Sequence, residues 1–334
     1  MSDDQPDGGP EAPDERRPAA SEGSLHAHIR QARTDFESQV AHARDQFEEA
    51  NDRITARAGR NLILAILIGL AFGAVVLGTL LFIKWLFVPF AVAAAVFGTF
   101  ELTRALQAAG RKIDLIPQLV LGAALVVIAF FADHDLTWTF VFVDLSVIVL
   151  WRLIAQMAAR DGRTYGAVIN DVLTGAFVQV YVPCSTAFAL LLLRQDNGEW
   201  WVLTFIAIAV AADTGAYASG LSFGKHPMAP LISPKKTWEG FAGAVVAATI
   251  AGVLFAWLAL GIPPYWGVLI GLVILATATI GDLGESMLKR NLGIKDMSSW
   301  LPGHGGVLDR LDSILPSAPA ALGLYILLAP LAGS

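Results

Sequence analysis

The residues best suited to chemistry in this 334-residue chain lie in two polar segments, of which the carboxylate segment, residues 281–313, is the richer. On a helix, Asp282, Glu285 and Lys289 follow one another at i, i+3 and i+7 and therefore share one face. Asp309 and Asp312 are three residues apart and share a face in the same way. We expect two helix ends to direct these carboxylates at a common point. Oxygen ligands in that arrangement suit Mg²⁺, which is usually completed by water and substrate phosphates.

The same segment carries groups that bind phosphate. Residues 302–306 read PGHGG, which predicts a tight turn. Its glycines, Gly305 and Gly306 among them, would let backbone N–H groups approach phosphate oxygens. Cationic donors for phosphate are also present, and they are Lys289, Arg290, Lys295 and Arg310.

The lysine segment, residues 212–240, complements the first. Asp213 ends an apolar stretch in the way that Asp282 ends another. Hydroxyl and ammonium donors follow close together, namely Ser233, Lys235, Lys236 and Thr237. Glu239 comes at a predicted helix start, where the helix dipole favours a carboxylate. Such donors suit a triphosphate or a leaving pyrophosphate, because preorganised cations stabilise the charge that develops there.

Each of these residues also has a purely structural interpretation. The basic residues can serve as topology anchors, and Asp282 can be a structural charge paired with Lys289. His304 on its own can be a hydrogen-bonded turn residue. Span ends and helix–helix hydrogen bonds are sufficient explanations for Asp171 and Glu101, so no site role is assigned to them.

The elements that would position these segments are membrane helices. The chain is 55% hydrophobic and only 16% charged, whereas soluble domains are about a quarter charged. We predict an all-α integral membrane protein, a polytopic bundle of about nine transmembrane helices, because a bilayer crossing needs about 20 apolar helical residues. The predicted spans are 61–83, 86–106, 113–132, 136–157, 168–193, 200–220, 239–260, 263–283 and 313–332.

The basic residues predict the orientation of these spans. With nine spans, all but Lys84 and Arg194 of the 23 basic residues fall on the side of the N-terminus. An excess of Lys and Arg marks the cytoplasmic side. We therefore predict that the N-terminus lies inside and the C-terminus outside.

The N-terminal part differs from the rest. Residues 1–23 are acidic and rich in Pro and Gly, which predicts a disordered tail, and they lack the apolar core of a secretory signal. Residues 24–58 carry apolar residues at helical spacing, which predicts an amphipathic cytoplasmic helix. Residues 59–334 form the predicted transmembrane catalytic domain. The single cysteine, Cys184, excludes an internal disulfide, and the charge pattern gives no sign of a nucleic-acid surface.

The carboxylate segment closely resembles the signature of the phosphatidate cytidylyltransferase (CDP-diacylglycerol synthase) family. The residues that carry the resemblance are Ser286, Lys289-Arg290, Lys295-Asp296, Pro302, His304-Gly305-Gly306 and Asp309-Arg310-Leu311-Asp312. The lysine segment adds Asp213, Ala216-Tyr217, Gly220, Gly224-Lys225 and residues 233–240. Leu221 departs from the family pattern, where a basic residue is common. The resemblance covers about residues 200–334, and a motif with so many fixed positions is highly specific.

The resemblance implies transfer of a cytidylyl group from CTP to phosphatidic acid, giving CDP-diacylglycerol and pyrophosphate. It also implies dependence on Mg²⁺, with a monovalent cation such as K⁺ as an additional candidate, and function as a homodimer. The site would lie at the cytoplasmic face of the inner membrane, among membrane lipids. By resemblance Asp282 and Asp309 hold the metal, and Asp312 is a further candidate ligand.

The remaining roles complete the prediction. Asp282, Asp309, Lys289 and His304 form the candidate catalytic set. The candidate substrate-binding set is Asp213, Ser233, Lys235, Lys236, Thr237, Arg290, Lys295, Gly305, Gly306 and Arg310.

Three alternatives remain open from the sequence. The first is a related CTP-dependent membrane transferase acting on another lipid phosphate or on a polyprenol. The second is a transporter or channel with the polar segments as a gate, which would place charges near the bilayer midplane and show repeated halves. The third is a scaffold, which would not need so dense a set of phosphate- and metal-binding groups.

Overall fold

The structure is a computed structural model that describes residues 73–159, 161–298 and 305–332. The chain divides into two compact units, residues 1–64 and 65–334, and every described residue belongs to the second. The predicted tail at 1–23 and the predicted helix at 24–58 lie outside the described residues. So do most of the first predicted span and His304.

The described residues are predominantly helical. In chain order the helices are α1 (Gly73–Phe82), α2 (Phe87–Ala108), α3 (Leu115–Phe131), α4 (His134–Ala159), α5 (Tyr165–Gln179), α6 (Ser185–Leu193), α7 (Gly198–Phe223), α8 (Trp238–Leu258), α9 (Pro264–Asn291), α10 (Leu308–Leu311) and α11 (Ser317–Leu328). A 3₁₀ turn at Lys84–Leu86 leads into α2, and another at Ala329–Leu331 follows α11. A π-helical turn at Val180–Cys184 joins α5 to α6.

Six of these helical stretches are long and apolar enough to cross a membrane. They are Lys84–Ala108, His134–Ala159, Tyr165–Leu193, Gly198–Phe223, Trp238–Leu258 and Pro264–Asn291. Three shorter apolar helices, α1, α3 and α11 with its 3₁₀ turn, accompany them. The predicted fold class, an all-α membrane protein, is therefore confirmed.

The last apolar helix begins later than predicted. The sequence predicted a span from residue 313, whereas α11 begins at Ser317. Pro316 immediately precedes it, and proline has no N–H with which to continue a helix from the residues before it. As a result Asp309 lies in the short helix α10 and Asp312 directly after it, rather than both opening a long helix.

Helices α7, α8 and α9 pack closely because small residues line their contacts. A Cβ added to Gly252 of α8 would lie 2.2 Å from the carbonyl oxygen of Gly267 in α9. One added to Gly215 of α7 would lie 2.7 Å from the carbonyl oxygen of Gly243 in α8. Small residues at these contacts let helix backbones approach within a membrane. The close packing of α7, α8 and α9 fixes the framework that carries both polar segments.

A short β-hairpin connects α7 to α8 and interrupts the helical fold. Strands β1 (Pro227–Ala229) and β2 (Ser233–Thr237) pair antiparallel, with Pro227 opposite Thr237 and Ala229 opposite Ser233. Prolines at 227, 230 and 234 exclude a helix here because each lacks the N–H that a helix interior needs. The hairpin places Lys235 and Lys236 of β2 beside the C-terminal part of α9, the end that the sequence predicts on the cytoplasmic side.

Candidate active site

The first element of the site is an ion pair between the hairpin and α9. The ammonium group of Lys236 on β2 contacts the carboxylate of Asp282 on α9. Their side chains are 28% and 24% exposed, so both are half-buried. The hydroxyl of Ser286 donates to the other oxygen of Asp282 at 3.4 Å. The ion pair brings one residue of each predicted segment into direct contact.

The second element is a lysine between two carboxylates. The Nζ of Lys289 lies 3.2 Å from Oε1 of Glu285 and 2.8 Å from Oδ1 of Asp309. Glu285 is 2% exposed, and its Oε2 has no hydrogen-bond partner among the described residues. Lys289 thus joins α9 to α10 and neutralises charge in a place with little water.

Asp309 is also held by backbone donors. Its Oδ2 accepts hydrogen bonds from the N–H of Gly306 at 2.8 Å and from the N–H of Met297 at 2.9 Å. Burial acts to raise the pKa of Asp309, but hydrogen bonds from Lys289 and from these two N–H groups outweigh it, so the pKa lies below its usual value. Asp309 is therefore ionised at neutral pH.

Two further carboxylates complete the cluster. Asp312 accepts a hydrogen bond from the N–H of Ser313 at 2.7 Å. Burial raises the pKa of Asp312 to about 6, and the nearby carboxylate of Asp213 adds to that effect while Lys289 and Lys236 oppose it. Burial in turn lowers the pKa of the Lys236 ammonium, against the attraction of Asp312 and Asp213. Lys236 and Lys289 therefore interact electrostatically with carboxylates from α7, from α9 and from the residues after α10.

A cavity of about 260 Å³ opens beside the Lys236–Asp282 pair. It lies between α7, α8, α9 and the hairpin. Its polar lining includes Asp213, Lys235, Lys236, Thr237 and Asp282, and its apolar lining includes Met228, Phe241, Ala244, Leu275 and Ala278. Polar groups at one part of a largely apolar cavity are typical of a ligand site.

Comparison with known proteins decides the family. The model of the cytidylyltransferase family matches residues 63–328, which is most of the chain. The chain belongs to the cytidylyltransferase family. Among curated relatives, a phosphatidate cytidylyltransferase of Mycobacterium tuberculosis is 42% identical over 280 residues, covering 80% of this chain and 83% of its own length.

Two further relatives have the same name. The phosphatidate cytidylyltransferase of Mycobacterium leprae is 39% identical over 290 residues, covering 82% of this chain and 90% of its own length. That of Haemophilus influenzae is 43% identical over 128 residues, covering 37% of this chain and 44% of its own length. This cytidylyltransferase therefore has relatives similar along most of the chain and relatives similar over a shorter stretch.

The pairing of Asp282 differs from the structural alternative raised by the sequence. That alternative paired Asp282 with Lys289, whereas the structure pairs Asp282 with Lys236 and Lys289 with Glu285 and Asp309. Residues seven apart on a helix are about 10 Å apart along its axis. Lys289 therefore contacts Glu285, one turn away, in preference to Asp282.

The hairpin holds three of the predicted phosphate ligands in different environments. Lys235 is exposed and, like Thr237, lines the cavity, while Ser233 is half-buried. The hydroxyl of Thr237 accepts a hydrogen bond from the N–H of Gly240 at 3.1 Å. Thr237 is thus the N-cap of α8, a role that satisfies one free N–H of the first turn.

The cationic residues beyond the cluster are solvent-exposed. Arg290 donates from Nε to the carbonyl of Ile232 at 3.3 Å, which ties the end of α9 to the hairpin. Lys295 and Arg310 are exposed, and so is Leu221, the residue that departs from the family pattern, at 75%. These side chains are therefore accessible from outside the protein.

The predicted glycine turn is described from residue 305 onwards. Gly305 has a φ of +79°, the left-handed conformation that glycine adopts without strain. The N–H of Gly306 is bound by Asp309. Contact of that N–H with a phosphate stays a prediction, and it requires Asp309 to release the N–H.

Sequence reasoning missed the partners of two carboxylates that hold the segments in place. Glu239 accepts hydrogen bonds from the N–H groups of Lys225 and His226 at 3.1 and 3.2 Å, and so fixes the turn after α7. For Glu101 of α2 the sequence offered span ends and helix–helix hydrogen bonds as a sufficient explanation, and the structure does place its carboxylate against the start of another helix, α10. The partners of Glu101 are Ser298, Val307 and Leu308 of the carboxylate segment. The available signal was an acid inside an apolar stretch, which is costly and usually functional.

The donor atoms of the cluster fit Mg²⁺ in kind. Within residues 73–159, 161–298 and 305–332, no group of three or more His, Cys, Asp or Glu side chains is arranged to hold a metal ion. Asp282 and Asp309 are instead bound by lysines. Mg²⁺ commonly takes only one or two carboxylates and completes its shell with water and substrate phosphates. The carboxylate oxygens present suit such a substrate-completed site.

Proposed function

We propose that this cytidylyltransferase family member transfers the cytidylyl group of CTP to phosphatidic acid, giving CDP-diacylglycerol and pyrophosphate. The observation that carries the proposal is the meeting of both signature segments in one cluster, where Lys236 contacts Asp282 and Lys289 contacts Asp309. Relatives named phosphatidate cytidylyltransferase, similar along most of the chain, support it.

The reaction joins two anions, so alignment and charge neutralisation are the main tasks of the protein. An oxygen of the lipid phosphate attacks the α-phosphorus of CTP in line, and the bond from that phosphorus to the bridging oxygen of pyrophosphate breaks. No general base is required, because a phosphate monoester is already largely ionised at pH 7.

The phosphate-binding side chains of the protein are assigned separately to the two substrates. Lys235, Lys236 and Ser233 bind the phosphates of the nucleotide, next to the cavity that the hairpin borders. Lys289, Arg290 and Arg310 bind the lipid phosphate. Lys236 and Lys289 must each weaken a contact with a carboxylate to do so, which couples binding of substrate to release of Asp282 and Asp309.

Asp282, Asp309 and Asp312 are the residues that would hold Mg²⁺. Bound there, the ion would neutralise phosphate charge and align phosphate oxygens. K⁺ is an additional candidate for the same carboxylate-rich region. His304 completes the proposed catalytic set, and Lys295, Thr237 and Asp213 complete the substrate-binding set.

The proposed setting is the inner membrane, with nine spans, the N-terminus inside and the site at the cytoplasmic face. Two ion pairs between interhelical loops support the predicted assignment of loops to the two sides of the membrane. Lys112, before α3, pairs with Asp161, after α4, and both connections are predicted inside. Lys84, before α2, pairs with Glu199 at the start of α7, and both are predicted outside. The proposed active form is a homodimer.

Purified protein supplied with labelled CTP, phosphatidate and Mg²⁺ tests the reaction. We expect pyrophosphate release that needs both substrates. Asp282→Asn and Asp309→Asn should each abolish turnover while the protein still inserts into membranes. Wild-type activity in either variant would remove that residue from the metal site. Activity with a polyprenol phosphate but not with phosphatidate would favour the related transferase instead.

A further inference from the structure

Glu101 lies in the apolar helix α2, far along the chain from the carboxylate segment, yet its side chain contacts that segment. Its Oε1 accepts hydrogen bonds from the hydroxyl of Ser298 and from the N–H of Val307 at 3.0 Å. Its Oε2 accepts from the N–H of Leu308 at 2.9 Å. Glu101 is 2% exposed. A buried carboxylate is costly unless it is hydrogen-bonded, so these donors account for an acid in this place.

Two carboxylates bind N–H groups of the same stretch of backbone. Glu101 binds the N–H groups of Val307 and Leu308, and Asp309 binds those of Met297 and Gly306. The donors stand on both flanks of residues 299–304. Fixing residues 306–308 determines where α10 begins, and α10 carries Asp309.

The need for glycine at position 306 comes from this contact. A Cβ added to Gly306 would lie 2.6 Å from Oε2 of Glu101 and 3.0 Å from its carboxyl carbon. Gly305 has a positive φ, but Gly306 does not. A side chain at this position would therefore have to displace the hydrogen-bonded carboxylate of Glu101, whereas the backbone angles would permit it.

Apolar packing supports the same docking of α10 on α2. Leu308 is fully buried and belongs to one cluster with Leu102 of α2 and Val182 of the π-helical turn. A Cβ added to Gly98 of α2 would lie 3.7 Å from a methyl group of Leu308. Leu308 thus packs against the same helix that presents Glu101.

We propose that Glu101 is a positioning residue for cytidylyl transfer. Its carboxylate fixes the backbone of residues 306–308 on α2, and this keeps Asp309 in contact with Lys289. Glu101 acts through Asp309 and is not assigned a contact with either substrate. The inference rests on the proposed function.

Glu101→Gln tests the proposal, because Gln keeps the shape but places an NH₂ group against a backbone N–H. We expect kcat to fall by at least about tenfold, equivalent to about 1.4 kcal/mol in the barrier. Hydrogen–deuterium exchange should rise in a peptide covering residues 297–309 and stay unchanged in α3. Asp144→Asn is the matched control, since Asp144 is an acid of α4 that is 1% exposed and bound to Gln179. That control should change neither measurement.

The outcomes separate the two proposals. If wild-type protein shows no phosphatidate-dependent use of CTP, the proposed function fails. If wild-type protein is active and Glu101→Gln matches it in kcat and in exchange of residues 297–309, the positioning role is wrong. Loss of kcat without faster exchange in that peptide would also overturn the positioning role.

A second pair of variants decides the matter if Glu101→Gln does not fold. Gly306→Ala should lower kcat because its methyl group meets the Glu101 carboxylate. Adding Glu101→Asp withdraws the carboxylate by one methylene. We expect the double variant to be at least about threefold more active than Gly306→Ala, which corresponds to about 0.7 kcal/mol in a double-mutant cycle. If the double variant instead loses kcat by the product of the two single losses, the two residues do not act together.

Discussion

Replacing Lys289 by Met would leave two buried carboxylates without the cation that lies between them. Lys289 is 14% exposed at its side chain, while Glu285 and Asp309 are 0% and 6% exposed, so solvent screens this cluster little. Removing one partner of a buried ion pair costs about 3–5 kcal/mol. We expect Lys289→Met to lower the stability of the protein by an amount in that range near neutral pH.

The size of this loss should depend on pH, with a sign set by Asp309. In the wild-type protein the pKa of Asp309 lies below its usual value of 3.8. The stabilisation that ionised Asp309 gives the folded wild type is therefore present above pH 3.8, its usual pKa, and is lost only as the pH falls through the lower folded-state pKa. Without Lys289, burial dominates and the pKa of Asp309 should rise, so the variant loses stability as the pH rises. The difference in melting temperature should be wide at about pH 8 and narrow at about pH 5.

Thermal melts in detergent, followed by tryptophan fluorescence at both pH values, measure this difference. The double variant Lys289→Met/Glu285→Gln replaces both members of one contact by neutral side chains and should regain much of the stability, because neutral replacements of a buried pair are often tolerated. It should stay inactive, since Lys289 is assigned to the lipid phosphate. The reasoning is refuted if Lys289→Met melts like the wild type at both pH values, or if the double variant turns over normally.

Three further changes test separate parts of the site. Gly281→Ala should lower turnover by at least about tenfold, because its Cβ would lie 2.2 Å from the carbonyl oxygen of Asp312; Gly284→Ala, with nothing within 4 Å, is the control in the same activity assay. Asp312→Asn should abolish turnover yet raise the melting temperature, and more at about pH 8 than at about pH 5, since its raised pKa of about 6 means that the wild type loses stability as the pH rises from the usual carboxyl pKa to that value. Thr237→Val should cost about 1 kcal/mol in thermal melts by removing the N-cap on Gly240, and Thr237→Ser should not.

Composition and spacing were sufficient to predict the helical membrane class and one face of α9. Long apolar stretches have few alternatives to a membrane helix, and residues three and seven apart share a face on any helix. Asp282, Glu285 and Lys289 accordingly lie on α9 as predicted. The hairpin was not predicted, because its pairing depends on how α7 and α8 are held together.

The partners of the charged residues could not be predicted from local spacing. Lys236 and Asp282 are 46 positions apart, and Glu101 and Leu308 are 207 apart. Helical periodicity reaches only a few turns, so it gives no information on such pairs. Glu101 stood in an apolar stretch with no apparent relation to the signature, and only the packing of α10 on α2 reveals its partners.

The contact between Glu101 and residues 307 and 308 has a consequence for biosynthesis. Chains grow at about 5–20 residues per second, so roughly 10–40 s separate the emergence of these two parts from the ribosome. During that interval the acid of α2 is already in the membrane without its backbone donors. The enzyme can become competent only after residue 309 has been synthesised, and a chain terminated before that point would lack both the donors for Glu101 and Asp309 itself.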